Sequence, residues 1–265
     1  MMVPSPSTDD GCWRLIGQRA TLHLEGLEAT VDLALPGRGL HGVRVASQDI
    51  SAVGILGVSP PDLSPAELGP IQESYVRGRD LVATYQPSDR RPVRTQVYWR
   101  VLPSTSPAVL AVVELVVSVQ THLLDSRPRL DVASTFDAAE LLALDCAGGE
   151  CESLPPGGSA TTSCSARRQL NFERDGPAER TLLARPEGSE LSFVQLVHPT
   201  DWTGGLLQHE KGSSRLVHHL FPESLEKGVI RRARVQGALV RRDDDLATAA
   251  DCRRRLQVES PPLTT

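Results

Sequence analysis

Over residues 75–120 the chain alternates apolar and polar residues with a period of two. That pattern admits little besides consecutive antiparallel strands. In residues 80–86, Leu81, Ala83 and Tyr85 alternate with Val82 and Thr84, and in residues 95–102, Val97, Trp99 and Val101 alternate with Gln96, Tyr98 and Arg100. Successive side chains of a strand point to opposite faces, so each run offers one face to a core and one to water. Residues 109–120 are apolar on nearly both sides. Val109, Ala111, Val113, Leu115, Val117 and Val119 line one face, while Leu110, Val112 and Val116 share the other with Glu114 and Ser118. A strand of this kind lies inside a sheet with something packed on each face. Turn clusters rich in proline, at residues 86–92 and 103–107, separate the runs.

Similar patterning marks strands at 13–16, 20–24, 29–35, 40–46, 49–58, 130–135, 141–144, 168–173, 180–184 and 191–198. A long β signal covers 216–241, with Val229, Ala233, Val235, Gly237 and Leu239 on one face and Arg232, Arg234 and Gln236 on the other. Residues 59–70 carry four prolines, and residues 148–165 are rich in glycine and proline; both read as loops. Residues 246–256 are the best helix in the chain. Asp243, Asp244 and Asp245 stand at its positive end, where a carboxylate accepts backbone N–H bonds, and Arg253, Arg254 and Arg255 stand at its last turn. So many short strands rarely form one open sheet. The pattern predicts an all-β, mainly antiparallel chain: a large two-sheet β-sandwich with one C-terminal helix at about 246–256. Residues 1–10 read as a disordered lead and 11–260 as a single domain, with a loop near 147–165 as the place where an internal boundary would fall.

Aromatic residues make up only 4% of the 265, so the core must be built from Val, Leu, Ala and Ile. A net charge of −5, with no basic arm interleaved with aromatics, argues against nucleic acid as a partner. The first ten residues lack a positive start and an apolar stretch, and the longest apolar run is too short to span a bilayer. These features lead to the expectation of a cytoplasmic protein with no membrane partner. Nucleophile elbow, phosphate-binding loop, zinc-protease motif and dinucleotide fingerprint are all missing, so no cofactor is expected. Of the five cysteines, Cys146, Cys151 and Cys164 fall in one glycine-rich region, but a structural zinc site wants a second close pair. Small apolar residues near a loop are the simpler reading of these three.

The densest polar constellation is residues 198–227. His198, Asp201 and Trp202 supply an imidazole, a carboxylate and an indole within five residues, where a strand runs into a loop. Carbohydrate sites need such a mixture: an aromatic face for the ring and planar charged groups for vicinal hydroxyls. Farther along come Arg215, His218, His219, Glu223 and Glu226. A proton-transfer site wants a His and a carboxylate within reach of one substrate atom. His198 as acid with Glu226 as base is the pairing singled out, with Asp201, Trp202 and Arg215 as substrate contacts. The competing reading is turn chemistry followed by a solvated strand face. His218 and His219 are adjacent, so on a strand one packs inward and the other meets water. Tyr98 and Arg100 suit a groove or an exposed face, and the arginines at 231–234 suit an anion or a wet face.

In length and in its many strands and few helices, the chain resembles the large sugar-binding β-sandwiches of the galactose-mutarotase type. The resemblance rests on architecture. It implies a carbohydrate partner and a His and a Glu acting as acid and base on the concave face of the sandwich. Two functions are carried forward: a carbohydrate-binding or carbohydrate-modifying sandwich with epimerase-like chemistry, and a non-catalytic sandwich that binds a protein or itself through a sheet face. The first requires a pocket where the named residues converge. The second requires a flat apolar face.

Overall fold

The alternating runs become strands, except that 216–241, expected as one β signal, splits into two strands that lie in different sheets. The computed structural model describes residues 11–259 apart from 25, 47, 51, 62–67, 105, 138, 146–150, 155–167, 174–179 and 211. In chain order the strands are β1 (Trp13–Ile16), β2 (Arg19–Leu24), β3 (Leu27–Asp32), β4 (Leu40–Val45), β5 (Gln48–Asp49), β6 (Ala52–Ser59), β7 (Ile71–Arg77), β8 (Asp80–Tyr85), β9 (Val93–Leu102) and β10 (Val109–Thr121). They continue as β11 (Leu130–Phe136), β12 (Ala139–Asp145), β13 (Cys151–Leu154), β14 (Arg168–Glu173), β15 (Arg180–Pro186), β16 (Leu191–Val197), β17 (Gly204–Glu210), β18 (Ser213–Leu220) and β19 (Ile230–Arg241). The α-helix, α1, is Asp245–Val258.

Two antiparallel sheets result. One has ten strands in the order β1-β2-β3-β4-β6-β11-β18-β17-β14, with β5 added to β4. The other has nine, in the order β13-β12-β15-β16-β19-β10-β9-β8-β7. The expected β-sandwich is therefore what the chain forms. β10 lies inside its sheet, between β9 and β19, as its two-sided apolar pattern requires. Its odd residues from Ala111 to Val119, with Val97 and Trp99 of β9 and Ala233 and Val235 of β19, point into the space between the sheets and are buried, while Val109, beyond a register shift, packs on the opposite side with α1. Gly237 marks how closely the layers approach. A Cβ there would lie 2.8 Å from the Phe193 ring and 3.1 Å from Leu56.

Two sequence expectations need adjusting. Residues 148–165 were expected to be loop throughout, yet β13 lies there and pairs with β12 from Leu141↔Leu154 to Leu144↔Cys151. Strand pairing overrides the local glycine and proline signal. At the start of α1, Asp244 makes no side-chain capping bond. Asp245 is instead pulled into an ion pair. Its carboxylate accepts from Arg185 Nε at 2.8 Å and Nη2 at 2.9 Å, and from Ser192 Oγ at 2.6 Å. The apolar stripe of the helix, Ala249 and Leu256, packs on Leu183, Val194, Leu196 and Val240 of the nine-stranded sheet, on the side away from the core. Residues 1–10 and 155–159, expected as lead and loop, lie outside the described residues.

Candidate functional site

The parity of the strands decides which polar side chains meet. In the ten-stranded sheet, Val132, Phe136, Leu216, Leu220 and Leu207 face the core. Residues of opposite parity on β11, β18, β17 and β14 therefore share the outer face. Cross-strand register then builds that face row by row.

The first row carries the titratable groups. Asp131 of β11 stands opposite His219 of β18, and their side chains meet, His219 Nδ1 to Asp131 Oδ1, at 2.8 Å. A carboxylate only accepts, so Nδ1 carries its hydrogen and Nε2 is the accepting nitrogen of the neutral ring. His219 is 32% exposed and Asp131 13%, so the pair reaches solvent. On the other side of His219, the β17 register places Gly204, the residue before Gly205, which faces His218. Glu173 of β14 lies opposite Gly204 and is exposed. His219 and Glu173 thus flank a glycine across two strand spacings, about 10 Å.

The second row is apolar: Leu206, Val217 and Ala133. The third row is polar again, with Arg215 between Thr135 and Gln208. On β6 this face ends at Gly57 and Gly54, where the backbone of residues Gly37 and Arg38 lies so close that a Cβ would collide. Backbone hydrogen bonds hold the row in place. Arg91, buried and without a carboxylate partner among the described residues, donates from its guanidinium to the carbonyls of Pro128 and Arg129, just ahead of β11. Burial lowers its guanidinium to about 10. Thr203 Oγ1 donates to the His219 carbonyl.

The residues singled out from the sequence are spread through three layers. His198 stands at the end of β16 and is buried. Its Nδ1 meets the Thr200 hydroxyl at 2.8 Å, and its Nε2 has no partner. Asp201 is close to it: Oδ2 accepts the Arg234 backbone N–H at 2.9 Å, and Oδ1 accepts from the Thr200 hydroxyl at 3.2 Å. Burial raises the Asp201 carboxyl above its ordinary range, while the Arg234 N–H, His198 and Thr200 pull it back. Trp202 is core, its indole edge-on to His218 at 5.5 Å. Glu226 is exposed in the turn between β18 and β19. The His198 N–H bonds the Arg234 carbonyl, and the turn holding Glu226 begins only past Ile230, about 13 Å along β19 at ~3.3 Å per residue. No hydrogen bond or ion pair among the described residues joins His198 to Glu226. Arg215 alone of the five lies on the His219 face.

Adjacent His218 and His219 separate as the period of two demands. His218 is fully buried, with Nδ1 at 3.1 Å from Gln195 Nε2, and His219 faces out. Asp131, Glu173 and Gly204 were not singled out. The alternation of Asp131 with Val132 was their only sequence signal.

A second polar cluster lies on the outer face of the nine-stranded sheet. Arg100 pairs with Asp80 at 2.8 Å and with Glu114 at 3.5 Å, and Glu114 also accepts from Gln236 at 3.2 Å. Arg234, 3.9 Å from Glu114, donates to the Glu259 carbonyl at the end of α1. These groups are satisfied by one another, and Glu114 and Arg234 are buried. Cys146 and Cys164 lie outside the described residues, as does the side chain of Cys151. Among the described residues no three His, Cys, Asp or Glu side chains come close enough to hold a metal, and no helix is long and apolar enough to cross a membrane.

No protein-family model and no curated protein matches the chain. Solved structures do. A candidate aldose 1-epimerase from Escherichia coli K12 superposes with a TM-score of 0.57 at 9% identity, over 83% of this chain and 98% of its own. A second, from Klebsiella pneumoniae, gives 0.58 at 9% identity over 95% and 90%. An aldose epimerase homologue from Caenorhabditis elegans gives 0.51 at 12% identity over 82% and 96%. At such identities the likeness is one of fold, and that fold is the galactose-mutarotase type of sandwich.

Proposed function

We propose that this mutarotase-like sandwich binds a sugar on the outer face of its ten-stranded sheet and interconverts its anomers there. One observation carries the reading. Glu173, Gly204, His219 and Asp131 stand in a single row, giving two proton-transfer groups on either side of a glycine, with half-buried Leu206 in the next row. Leu206 suits the C–H face of a ring, and half-buried Arg215 suits hydroxyls.

Anomer exchange needs one proton removed and another supplied. The Glu173 carboxylate takes the proton of the anomeric hydroxyl. Protonated His219 gives the Nε2 proton to the ring oxygen, the bond from anomeric carbon to ring oxygen breaks, and an open-chain aldehyde forms. After rotation of the aldehyde the transfers reverse, and the ring closes on the other face. Asp131 stabilises the imidazolium and fixes its tautomer. The roles are those the sequence assigned to a His acid and a Glu base, carried by other residues.

Two-dimensional NMR exchange spectroscopy on a panel of aldoses tests this. Wild type accelerates anomer exchange, and His219→Asn slows it by about a hundredfold or more, the usual worth of a general acid. Binding of a sugar by wild type with no acceleration would assign the face to recognition. Absence of both would remove it as a sugar site.

A further inference from the structure

We infer that β7 is a docking edge for a second copy of this chain, the two strands pairing antiparallel about Tyr75 so that Glu73 of each meets the partner's Arg77. β7 ends the nine-stranded sheet, and among the described residues no strand pairs with its outer side. It is seven residues long, while the other terminal strands, β1, β13 and β14, have four, four and six. From Ile71 to Arg77 there is no proline and no lysine, the residues that usually blunt such an edge. A long open edge is a template for another strand. The edge belongs to the sheet opposite the proposed sugar face and does not depend on it.

The backbone sets the register. β7 and β8 form a hairpin through Gly78 and Arg79, closed by Arg77↔Asp80, and Gly78 takes the positive φ of 58° that such a turn needs. The closing pair of a two-residue hairpin exchanges both backbone bonds, and bonding alternates along an antiparallel pair. Tyr75 and Glu73, like Arg77, therefore turn their N–H and C=O groups to β8, and Ser74 and Val76 aim theirs at the open edge. Pairing about Tyr75 sets Ser74 opposite the partner's Val76 and Val76 opposite the partner's Ser74, so the outward groups bond in matched pairs. Glu73, Tyr75 and Arg77 then take the non-bonded positions, where side chains approach most closely, with Cα atoms about 4.5 Å apart. All three are exposed, on the outer face, because Val76 of the opposite parity packs on the core. Among the described residues Glu73 bonds a hydroxyl, Thr84 Oγ1 at 3.2 Å, and Arg77 reaches no carboxylate nearer than Asp80 at 3.9 Å, whose oxygens Arg100 holds at 2.8 and 3.1 Å. Two Glu–Arg pairs on either side of a Tyr–Tyr pair make the strand complementary to itself. A slide of two residues either way sets Glu73 or Arg77 against the partner's Tyr75 and loses both ion pairs.

Sedimentation equilibrium on the full chain tests this. Wild type is expected to be a dimer that dissociates on dilution. Ser74→Pro removes an outward N–H while leaving the bonds to β8, and is expected to be a monomer. Glu73→Arg and Arg77→Glu each turn both ion pairs into like-charge contacts and weaken self-association roughly ten- to a hundredfold. Mixed one to one, these two variants recover the wild-type association, because in the mixed dimer every Arg again meets a Glu. A melting curve by circular dichroism checks that each variant folds. A wild type that stays monomeric up to about a millimolar, a dimer that survives Ser74→Pro, or a mixture that associates no better than its parts overturns the inference. A monomer that dimerises only after residues 1–10 are removed gives the edge to that segment and overturns it as well.

Discussion

Asp201 spends its carboxylate on another strand, accepting the Arg234 backbone N–H where β16 has ended. Its raised carboxyl carries a definite sign. A carboxyl easier to protonate when folded costs stability as pH rises through the window that opens at the ordinary value of 3.8. Asp201→Asn keeps an oxygen for the N–H and sheds the buried charge. It is expected to be at least as stable as wild type at pH 7, with the difference closing near pH 3; Asp201→Ala, which loses the acceptor, costs about 1–3 kcal/mol. Urea unfolding at both pH values measures this. Trp99 presents the converse case, a fully buried indole whose Nε1 has no partner. Trp99→Phe removes that orphan donor along with some packing, so it should cost far less than the ~3–5 kcal/mol of Trp99→Ala. At this scale the sequence was most legible where parity alone decides, as for His218 and His219. It was least legible where a partner is remote: Asp131 is 88 positions from His219.

Helix α1 shows how a single ion pair positions an element. Burial works against ionisation of Asp245, yet Arg185 and Ser192 hold its carboxyl below the ordinary range. A carboxyl depressed by folding adds stability that is complete above its unfolded value, 3.8, and lost as pH falls below it. Asp245→Asn leaves Arg185 without its main partner and is expected to cost about 2–3 kcal/mol at pH 7, discounted from a fully buried pair because Arg185 is 24% exposed. Hydrogen exchange should quicken in Asp245–Val258 before it does in β10 or β19, and the deficit should shrink below about pH 4. The helix itself was legible, because its charges and spacing are local. Its docking was not: an aspartate that looks like a cap, Asp245, becomes the partner of a strand 60 positions away. β13 was missed for the same reason, since its pairing with β12 outweighs the turn-forming residues around it.

At the scale of the whole molecule, two layers could be inferred by counting strands, while the face proposed to bind sugar could not. Residues 198–227 looked like one constellation because they are contiguous, but a chain that crosses a sandwich distributes contiguous residues among its layers. His198 ends up at one sheet, Trp202 in the core and Arg215 on the outer face of the other sheet. The approach of those layers is set at Gly237, beneath Phe193. Gly237→Ala must push the sheets or the ring aside, with an expected cost of about 1–3 kcal/mol in a thermal or denaturant melt. The adjacent imidazoles of β18 carry a further consequence. One extra residue inserted ahead of them, taken up by a slip of the strand, would turn His219 toward Trp202 and present His218 to solvent. The proposed acid and the interior packing are written into the same odd–even bit, so one slip would undo both.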